Sequence, residues 1–306
     1  GSTLTQAQTW NAGGLNYDNT ALALNGGGTI NFNTILGYNS GQAITQNGPT
    51  VNIQPIADKT TLVGTGGYVL NSGTLNFANA LAFSSLNARG SGKLSLNGGT
   101  LDNTSGAAGT FSNNGGVNIG GSFTFAGSSD MSLGTGAVSL SGAPTVTVAA
   151  GALTIGGAVS GSSGLTKAGP GTLVMTGQVS YGGATTVDEG LLVFENTSGS
   201  TYTYNGGNLF INNGSTLRFT RSGSSDRYDL SGKTFTFGST GGNTLDTSSG
   251  LNFVAWSANT FRTTGGAQNF ITGSSGMNIN SGVIDVFDIA RGSDPSDLKV
   301  TAPIWN

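Results

Sequence analysis

The stretch Asn71-Ser72-Gly73-Thr74-Leu75-Asn76-Phe77 contains the pattern on which the fold prediction depends. It opens with Asn and Gly, which tolerate the positive φ of a tight corner better than β-branched residues do. Residues 74–77 then alternate polar and apolar side chains, which is typical of a strand with one buried face. The stretch therefore predicts a tight corner followed by a short, half-buried strand.

The same unit recurs along the chain, so it is a repeat rather than a single turn. Further copies occupy residues 25–32, 97–101, 114–119, 205–210, 213–219 and 280–286. Their spacing is irregular, and the larger gaps hold other strand-like runs, including 145–148 and 152–155. Constant corner chemistry with variable spacing predicts an all-β solenoid, a parallel β-helix that forms a single elongated domain over residues 1–306.

Two other β architectures use similar turns. An Asn-Gly turn also closes antiparallel hairpins, so a β-sandwich, or an array of small sandwich domains, is the structural alternative. A left-handed helix of hexapeptides would need a strict six-residue period, which this sequence lacks. Disorder is also compatible with 54 glycines and few charges, but the hydrophobic fraction of 36% lies in short alternating runs, which indicates a folded chain.

Charge and composition exclude several functional classes. The chain has 11 basic and 14 acidic residues and a net charge of −3, which is unsuited to a strong electrostatic grip on nucleic acid. It has no Cys and no His, so disulfides, thiolate metal sites and histidine bases are excluded. No apolar run approaches the roughly 18–20 residues of a spanning helix, so we expect no membrane insertion of this segment.

One segment carries a longer motif. Residues 164–177 read GLTKAGPGTLVMTG, and residues 178–193 continue as QVSYGGATTVDEGLLV. This segment resembles the autotransporter-associated β-strand repeat, whose pattern G-L-x-K-x-G-x-G-T-L-x-L-x-G it meets with Met175 in place of the usual Leu. The resemblance implies a right-handed parallel β-helix in a secreted bacterial surface protein. It implies no catalytic residue.

The acidic residues form no convincing catalytic or metal site. Asp285 and Asp288 are separated by an odd number of positions, which places them on opposite faces of a strand and rules out a paired-carboxylate site. Asp294 and Asp297 match no calcium-binding loop pattern. Asp188 and Glu189 lie at a corner of the repeat, where polar residues are ordinary. Asp226, Arg227 and Asp229 lie in a charged loop, for which exposure to solvent is favoured over contact with a glycan. We therefore predict no catalytic residue, metal or cofactor.

Aromatic residues offer a candidate binding surface. Tyr202, Tyr204 and Phe210 alternate across a Gly corner, and Tyr181 lies about one coil earlier, where a coil is one turn of the solenoid. An exposed row of tyrosines could stack on a surface glycan. The favoured alternative is that Phe210 belongs to the core and the tyrosines pack along the coil edges.

The two ends of the sequence suggest a contact between coils. Residues 297–304 resemble the lead-in strand that precedes the repeat, so we expect an open last coil that docks onto another copy or onto a neighbouring repeat of the same chain. Trp10, Ile304 and Trp305 are the candidate residues of this end-to-end interface. Repetition of the contact would build a fibre.

These observations favour a non-enzymatic structural or adhesive segment at the bacterial cell surface. A carbohydrate-binding or polysaccharide-degrading β-helix is one alternative, because both activities occur on this architecture. A passive stalk within a larger adhesin is the other.

Overall fold

A computed structural model gives the fold of the protein. It describes residues 2–5, 10–12, 21–32, 41–54, 66–85, 92–111, 115–197, 201–222, 228–230, 232–247, 253–256, 259–273, 277–279, 286–291, 297–302 and 304–305. The chain divides into two compact units, residues 1–158 and residues 159–306. The single domain over residues 1–306 stays a prediction.

The first unit contains fifteen strands and one helical turn within the described residues. These are β1 (Ser2–Thr5), β2 (Trp10–Ala12), β3 (Leu22–Asn25), β4 (Thr29–Phe32), β5 (Ile44–Ile53), β6 (Tyr68–Phe77), α1 (Ala82–Ser85), β7 (Leu94–Leu96), β8 (Thr100–Asn103), β9 (Gly109–Thr110), β10 (Val117–Ile119), β11 (Phe123–Phe125), β12 (Met131–Ser132), β13 (Val138–Leu140), β14 (Thr145–Val148) and β15 (Ala152–Ile155).

The second unit contains nineteen strands within the described residues. These are β16 (Val159–Gly161), β17 (Leu165–Ala168), β18 (Thr172–Met175), β19 (Val179–Tyr181), β20 (Thr185–Val187), β21 (Leu191–Asn196), β22 (Tyr202–Thr203), β23 (Leu209–Ile211), β24 (Thr216–Arg221), β25 (Tyr228–Asp229), β26 (Thr234–Phe237), β27 (Thr244–Asp246), β28 (Phe253–Trp256), β29 (Thr260–Thr263), β30 (Asn269–Thr272), β31 (Met277–Ile279), β32 (Val286–Ile289), β33 (Leu298–Val300) and β34 (Ile304–Trp305).

Strand pairing defines a solenoid. In the second unit β17 pairs with β20, β20 with β23 and β23 with β26, always in parallel. Consecutive strands therefore lie on different faces of one coil, and each strand pairs with its equivalent in the next coil. The all-β parallel solenoid is confirmed. The β-sandwich alternative is wrong, because its hairpins would pair consecutive strands in antiparallel fashion.

Stacked corners explain the recurrent glycine. Gly73 has φ +85°, and a Cβ atom there would lie 2.2 Å from the carbonyl oxygen of Pro49 in the preceding coil. Gly48 has φ +121° and meets Gly26 in the same way, at 2.4 Å from its carbonyl oxygen. Glycine is required at this corner both for the backbone conformation and for the close approach of stacked coils.

A ladder of asparagine side chains runs beside these corners. Asn47 donates its side-chain amide to Asn25 at 2.8 Å, and Asn71 donates to Asn47 at 2.8 Å. Asn97 continues the ladder by donating to Asn71 at 2.9 Å. The sequence separations of 22, 24 and 26 residues show that coil length varies while the corner stays in register. The residues that make the coils differ in length therefore lie elsewhere in the coil.

The core of each unit consists of the inward positions of the strands. In β4 and β18 alternate residues are buried, and these include Ile30, Phe32, Leu173 and Met175. The helical turn α1 contributes Phe83, whose ring stacks on Phe77 at 5.0 Å between centroids. Alternation predicted from the sequence thus places apolar side chains inside the coils.

Candidate functional site

The repeat predicted at residues 164–193 forms β17 to β20 and the start of β21. Its apolar anchors occupy inward positions: Leu165, Leu173, Met175 and Leu192 are all at most 2% exposed. Glycines occupy the corners between these strands, and a Cβ atom at Gly164 would lie 2.1 Å from the carbonyl oxygen of Ala184 in the next coil. The motif therefore encodes the stacking of one coil on the next.

Lys167 is the repeat's buried charged residue. Its ammonium donates to the carbonyl oxygens of Ala168 at 2.9 Å, Gly169 at 2.6 Å and Glu189 at 3.0 Å. Burial lowers the pKa of Lys167 to about 8, while the negative charge of Glu189 acts in the opposite direction. All three donors of the ammonium are used within the protein, so Lys167 ties two corners together.

Tyr181 and Tyr204 belong to a buried polar cluster. The hydroxyl of Thr185 lies 2.5 Å from that of Tyr181 and 2.7 Å from that of Tyr204. Burial raises the pKa of Tyr181 to about 12 and that of Tyr204 well above its usual value. The three hydroxyl groups therefore form hydrogen bonds with one another inside the second unit.

Tyr202 is equally enclosed. Its hydroxyl donates to the carbonyl oxygen of Gly177 at 2.7 Å, and its ring lies 5.1 Å from that of Tyr228. Tyr181, Tyr202 and Tyr204 are 0%, 1% and 1% exposed. They form no exposed row for a glycan, which corrects that expectation. Val179 and Tyr181 are buried, and Ser180 between them is exposed. The alternation of a polar residue with these two is the sequence signal that predicts an inward Tyr181.

Phe210 takes the opposite orientation from the one expected. Its neighbours Leu209 and Ile211 are fully buried, whereas Phe210 is half-buried and lies on the outer face of β23. The expectation of a core Phe210 is therefore wrong. The register explains this result, because Ile211 pairs with inward Val187 and Phe237, while Phe210 pairs with outward Thr186 and Thr236.

The charged candidates take part in contacts between coils. Asp188 accepts the side-chain amide of Asn212 at 2.8 Å. Arg262 pairs with Asp288 at 2.8 Å, directly across neighbouring strands. No group of three acidic residues suited to a metal ion occurs among the described residues. Asp226, Arg227, Asp285 and Asp294 lie outside the described residues, while Asp229 is in β25 and Asp297 is buried.

The strand β32 has an exposed apolar surface. Val286, Phe287 and Ile289 are 45%, 39% and 37% exposed, and they are the exposed large hydrophobic residues of the described chain. Within that described part, β32 pairs with β29 alone. The ring of Phe287 stacks on Phe261 at 5.2 Å, as Phe261 does on Phe235. Phe287 thus continues an internal stack of rings without being covered.

The residues predicted for an end-to-end interface lie on strands, but their side chains are outside the described part of the structure. The backbone of Trp10 belongs to β2, which pairs with β4. Ile304 and Trp305 form β34, which pairs with β31. Their role at an interface stays a prediction, and sequence reasoning missed the exposed residues of β32.

Among the described residues, no helix has the length and apolar character needed to cross a bilayer.

Comparison with known proteins identifies the repeat. The model of the passenger-associated-transport-repeat family matches residues 165–194. The chain is also similar to the adhesin BmaC autotransporter of Brucella suis biovar 1 (strain 1330), with 32% identity over 192 residues. The alignment covers 55% of this chain and 5% of that protein, and no solved structure matches. The chain therefore contains, at residues 165–194, a repeat of the autotransporter-associated family that its sequence predicts.

Proposed function

We propose that this chain is a non-enzymatic segment of a bacterial surface passenger, exported from the cell and serving there as a structural or adhesive element. The observation that carries the proposal is the passenger-associated transport repeat at residues 165–194, built into stacked parallel coils. The similarity to an adhesin autotransporter supports the same assignment. The chain has no Cys, so its folding outside the cell requires no disulfide formation.

The adhesive role and the stalk role make different predictions in the source organism. In a strain whose passenger gene lacks the region for residues 1–306, both roles predict reduced adherence. Replacement of the region by an unrelated parallel solenoid of similar length restores adherence only if the segment is a spacer. If the segment itself is adhesive, the replacement does not restore adherence, although equal amounts of passenger reach the cell surface. Restored adherence would contradict the adhesive role.

A further coil stacks on β32 in the assembled protein, either from a neighbouring repeat of the same polypeptide or from a second copy. The support is the exposed apolar surface of Val286, Phe287 and Ile289 on a strand with one partner among the described residues. An apolar strand edge favours association because its backbone groups and side chains can be covered together. Association of copies through this edge would extend the solenoid as a fibre.

Sedimentation velocity tests the version with a second copy. For the unsubstituted chain, the mass of the sedimenting species is expected to increase with protein concentration. The Phe287→Asp variant is expected to stay monomeric, because the substitution places a charge in the contact. Thr147→Asp, an equal change of charge on the outer face of β14, serves as the matched control and is expected to associate normally. Concentration-independent monomers of the unsubstituted chain would contradict self-association.

Polysaccharide degradation is the alternative function, and product analysis distinguishes it. Incubation of the purified chain with neutral and acidic polysaccharides is expected to release no new reducing ends or unsaturated products. Release of such products in proportion to protein concentration would contradict the non-enzymatic assignment.

A further inference from the structure

The outer face of the second unit contains a concavity of about 390 Å³ around Phe210, here called the Phe210 groove. Small-molecule sites commonly range from roughly 300 to 1,000 Å³, so the volume is sufficient for a ligand. The groove crosses β23 and β26 and reaches Thr264, directly after β29. Neighbouring strands lie about 4.8 Å apart, so the floor extends for roughly 10 Å.

The concavity arises where a glycine interrupts an outward row of side chains. Gly238 lies beside Asn212 of the preceding coil, and a Cβ atom at Gly238 would be 2.7 Å from the Asn212 side-chain oxygen. Asn212, Gly238 and Thr264 follow one another on this row and all line the groove, and Gly238 adds no side chain to the floor. The turn that follows, with exposed Ser239 and Thr240, forms one wall of the groove.

The groove combines one aromatic ring with neutral polar groups. Phe210 offers a half-buried ring on the outer face. The side chains of Asn213, Thr236, Ser239 and Thr240 also line the groove, and they have no side-chain hydrogen bond within the part of the chain that the structure describes. These amide and hydroxyl groups can both donate and accept hydrogen bonds to a ligand.

One polar group of the groove is held in place. Asn212 donates its side-chain nitrogen to Asp188 at 2.8 Å, which fixes the orientation of the amide and leaves its oxygen toward Gly238. The next residue, Asn213, has a φ of +54° and is the one non-glycine residue with a positive φ among the described residues. An immobilised amide reduces the entropy lost when a ligand binds.

The lining excludes several classes of partner. It contains no charged residue, and the nearby Arg262 and Asp188 are already bonded to Asp288 and Asn212. Acidic sugars, phosphates and nucleic acid would find no cation in the groove. A peptide strand cannot add here, because β23 and β26 each pair with strands on both sides.

We propose that the Phe210 groove binds a neutral glycan. The apolar C–H face of a pyranose packs on the Phe210 ring, whose π-face is negative, while Asn213, Thr236 and Ser239 bond the sugar hydroxyls. The groove is long enough for more than one sugar residue. This inference names a ligand class for the adhesive role and rests on that proposed function.

Saturation-transfer NMR with the purified chain tests the proposal. The probes are neutral oligosaccharides of glucose, galactose and N-acetylglucosamine, with a polyuronate oligosaccharide as the acidic comparison. At least one neutral probe is expected to bind in the millimolar range and the polyuronate not to bind. Phe210→Thr, which copies the residue found at Thr186 and Thr236 on either side, is expected to weaken binding at least tenfold.

Thr236→Val removes one hydroxyl with little change of shape and is expected to weaken binding about fivefold. Thr186→Val makes the same change on the same outward row, outside the groove lining, and is expected to bind normally. Absence of binding to every neutral probe, equal binding of the polyuronate, or unchanged binding by a correctly folded Phe210→Thr chain would overturn the proposal. Since no cell is involved, such a result leaves surface display and adherence to be judged by their own experiments.

Discussion

The ammonium of Lys167 donates a hydrogen bond to the carbonyl oxygen of Glu189 at 3.0 Å, across 22 residues of sequence. This bond joins the corner after β17 to the equivalent corner in the next coil. Together with the bonds to Ala168 and Gly169, it makes Lys167 the point where the repeat secures two stacked corners.

Substitution of Lys167 by Met should destabilise the protein. Three carbonyl oxygens lose their donor, in one buried and two part-buried hydrogen bonds, and we expect the free energy of unfolding to fall by about 2–3 kcal/mol. Lys93→Met is the matched control, because Lys93 is exposed, and it should change stability by less than about 0.5 kcal/mol. Thermal and urea unfolding followed by circular dichroism measures both. Equal stability of the two variants would contradict the role of Lys167.

Because of Lys167, we expect the stability of the folded chain to depend on pH between about pH 8 and pH 10. Its pKa in the folded chain is about 8, below the ordinary lysine value, so the unfolded chain binds more protons in this interval. Stability contributed by this residue therefore rises as the pH increases from 8 to 10. The melting temperature of Lys167→Met, compared with that of the unsubstituted chain at each pH, isolates the effect. A difference between the two chains that does not vary with pH would contradict it.

Above pH 10 the buried tyrosines should reverse this trend. Burial raises their pKa, so the folded chain retains protons that the unfolded chain loses, and stability falls with pH. At least five of the seven tyrosines should resist ionisation until the chain unfolds, namely Tyr68, Tyr181, Tyr202, Tyr204 and Tyr228. Absorbance at the phenolate band during alkaline titration measures this, with circular dichroism as the control for unfolding. Reversible ionisation of more than two tyrosines in the folded chain would contradict their burial.

The asparagine ladder gives a graded prediction. Asn71→Ala removes two side-chain bonds, to Asn47 and from Asn97, and should cost about 1–2 kcal/mol. Asn97→Ala removes one bond, to Asn71, and should cost about half as much. Urea midpoints of the two variants test the ratio. A greater loss for Asn97→Ala than for Asn71→Ala would contradict a ladder in which each rung contributes similarly.

Two phenylalanines of one stack should differ in their contribution to stability. Phe261 is fully buried, so Phe261→Ala should cost about 3–5 kcal/mol. Phe287 stacks on it but is 39% exposed, so Phe287→Ala should cost clearly less in the isolated chain. The comparison is made at low protein concentration, where association does not contribute. Equal losses would show that β32 is covered in solution.

The sequence predicts the coil architecture but not every facing of its side chains. Alternation in residues 74–77 specifies a single buried face, because Leu75 and Phe77 alternate with the polar Thr74 and Asn76. Leu209, Phe210 and Ile211 are three consecutive apolar residues, so alternation is compatible with either facing. The pairing of Ile211 with Phe237 in the next coil decides it, and that contact lies 26 residues away.

The candidate sites depend on contacts of the same long range. The Phe210 groove requires Gly238 beside Asn212, and the sequence shows Gly238 only as one more corner glycine. The three carbonyl partners of Lys167 include one from the next coil, so its motif identifies the residue without its role. Tyr181 is more predictable, since its spacing from Val179 across the polar Ser180 places both side chains on one face.

We propose that this chain is a displayed segment of a surface passenger. The most direct measurement is labelling of intact, non-permeabilised cells of the source organism with antibodies raised against residues 1–306, with a cytoplasmic protein as the control for lysis. If the segment is displayed, intact cells are labelled, and protease treatment removes the labelling while the cytoplasmic control stays protected. Labelling that appears only after the cells are opened would contradict it.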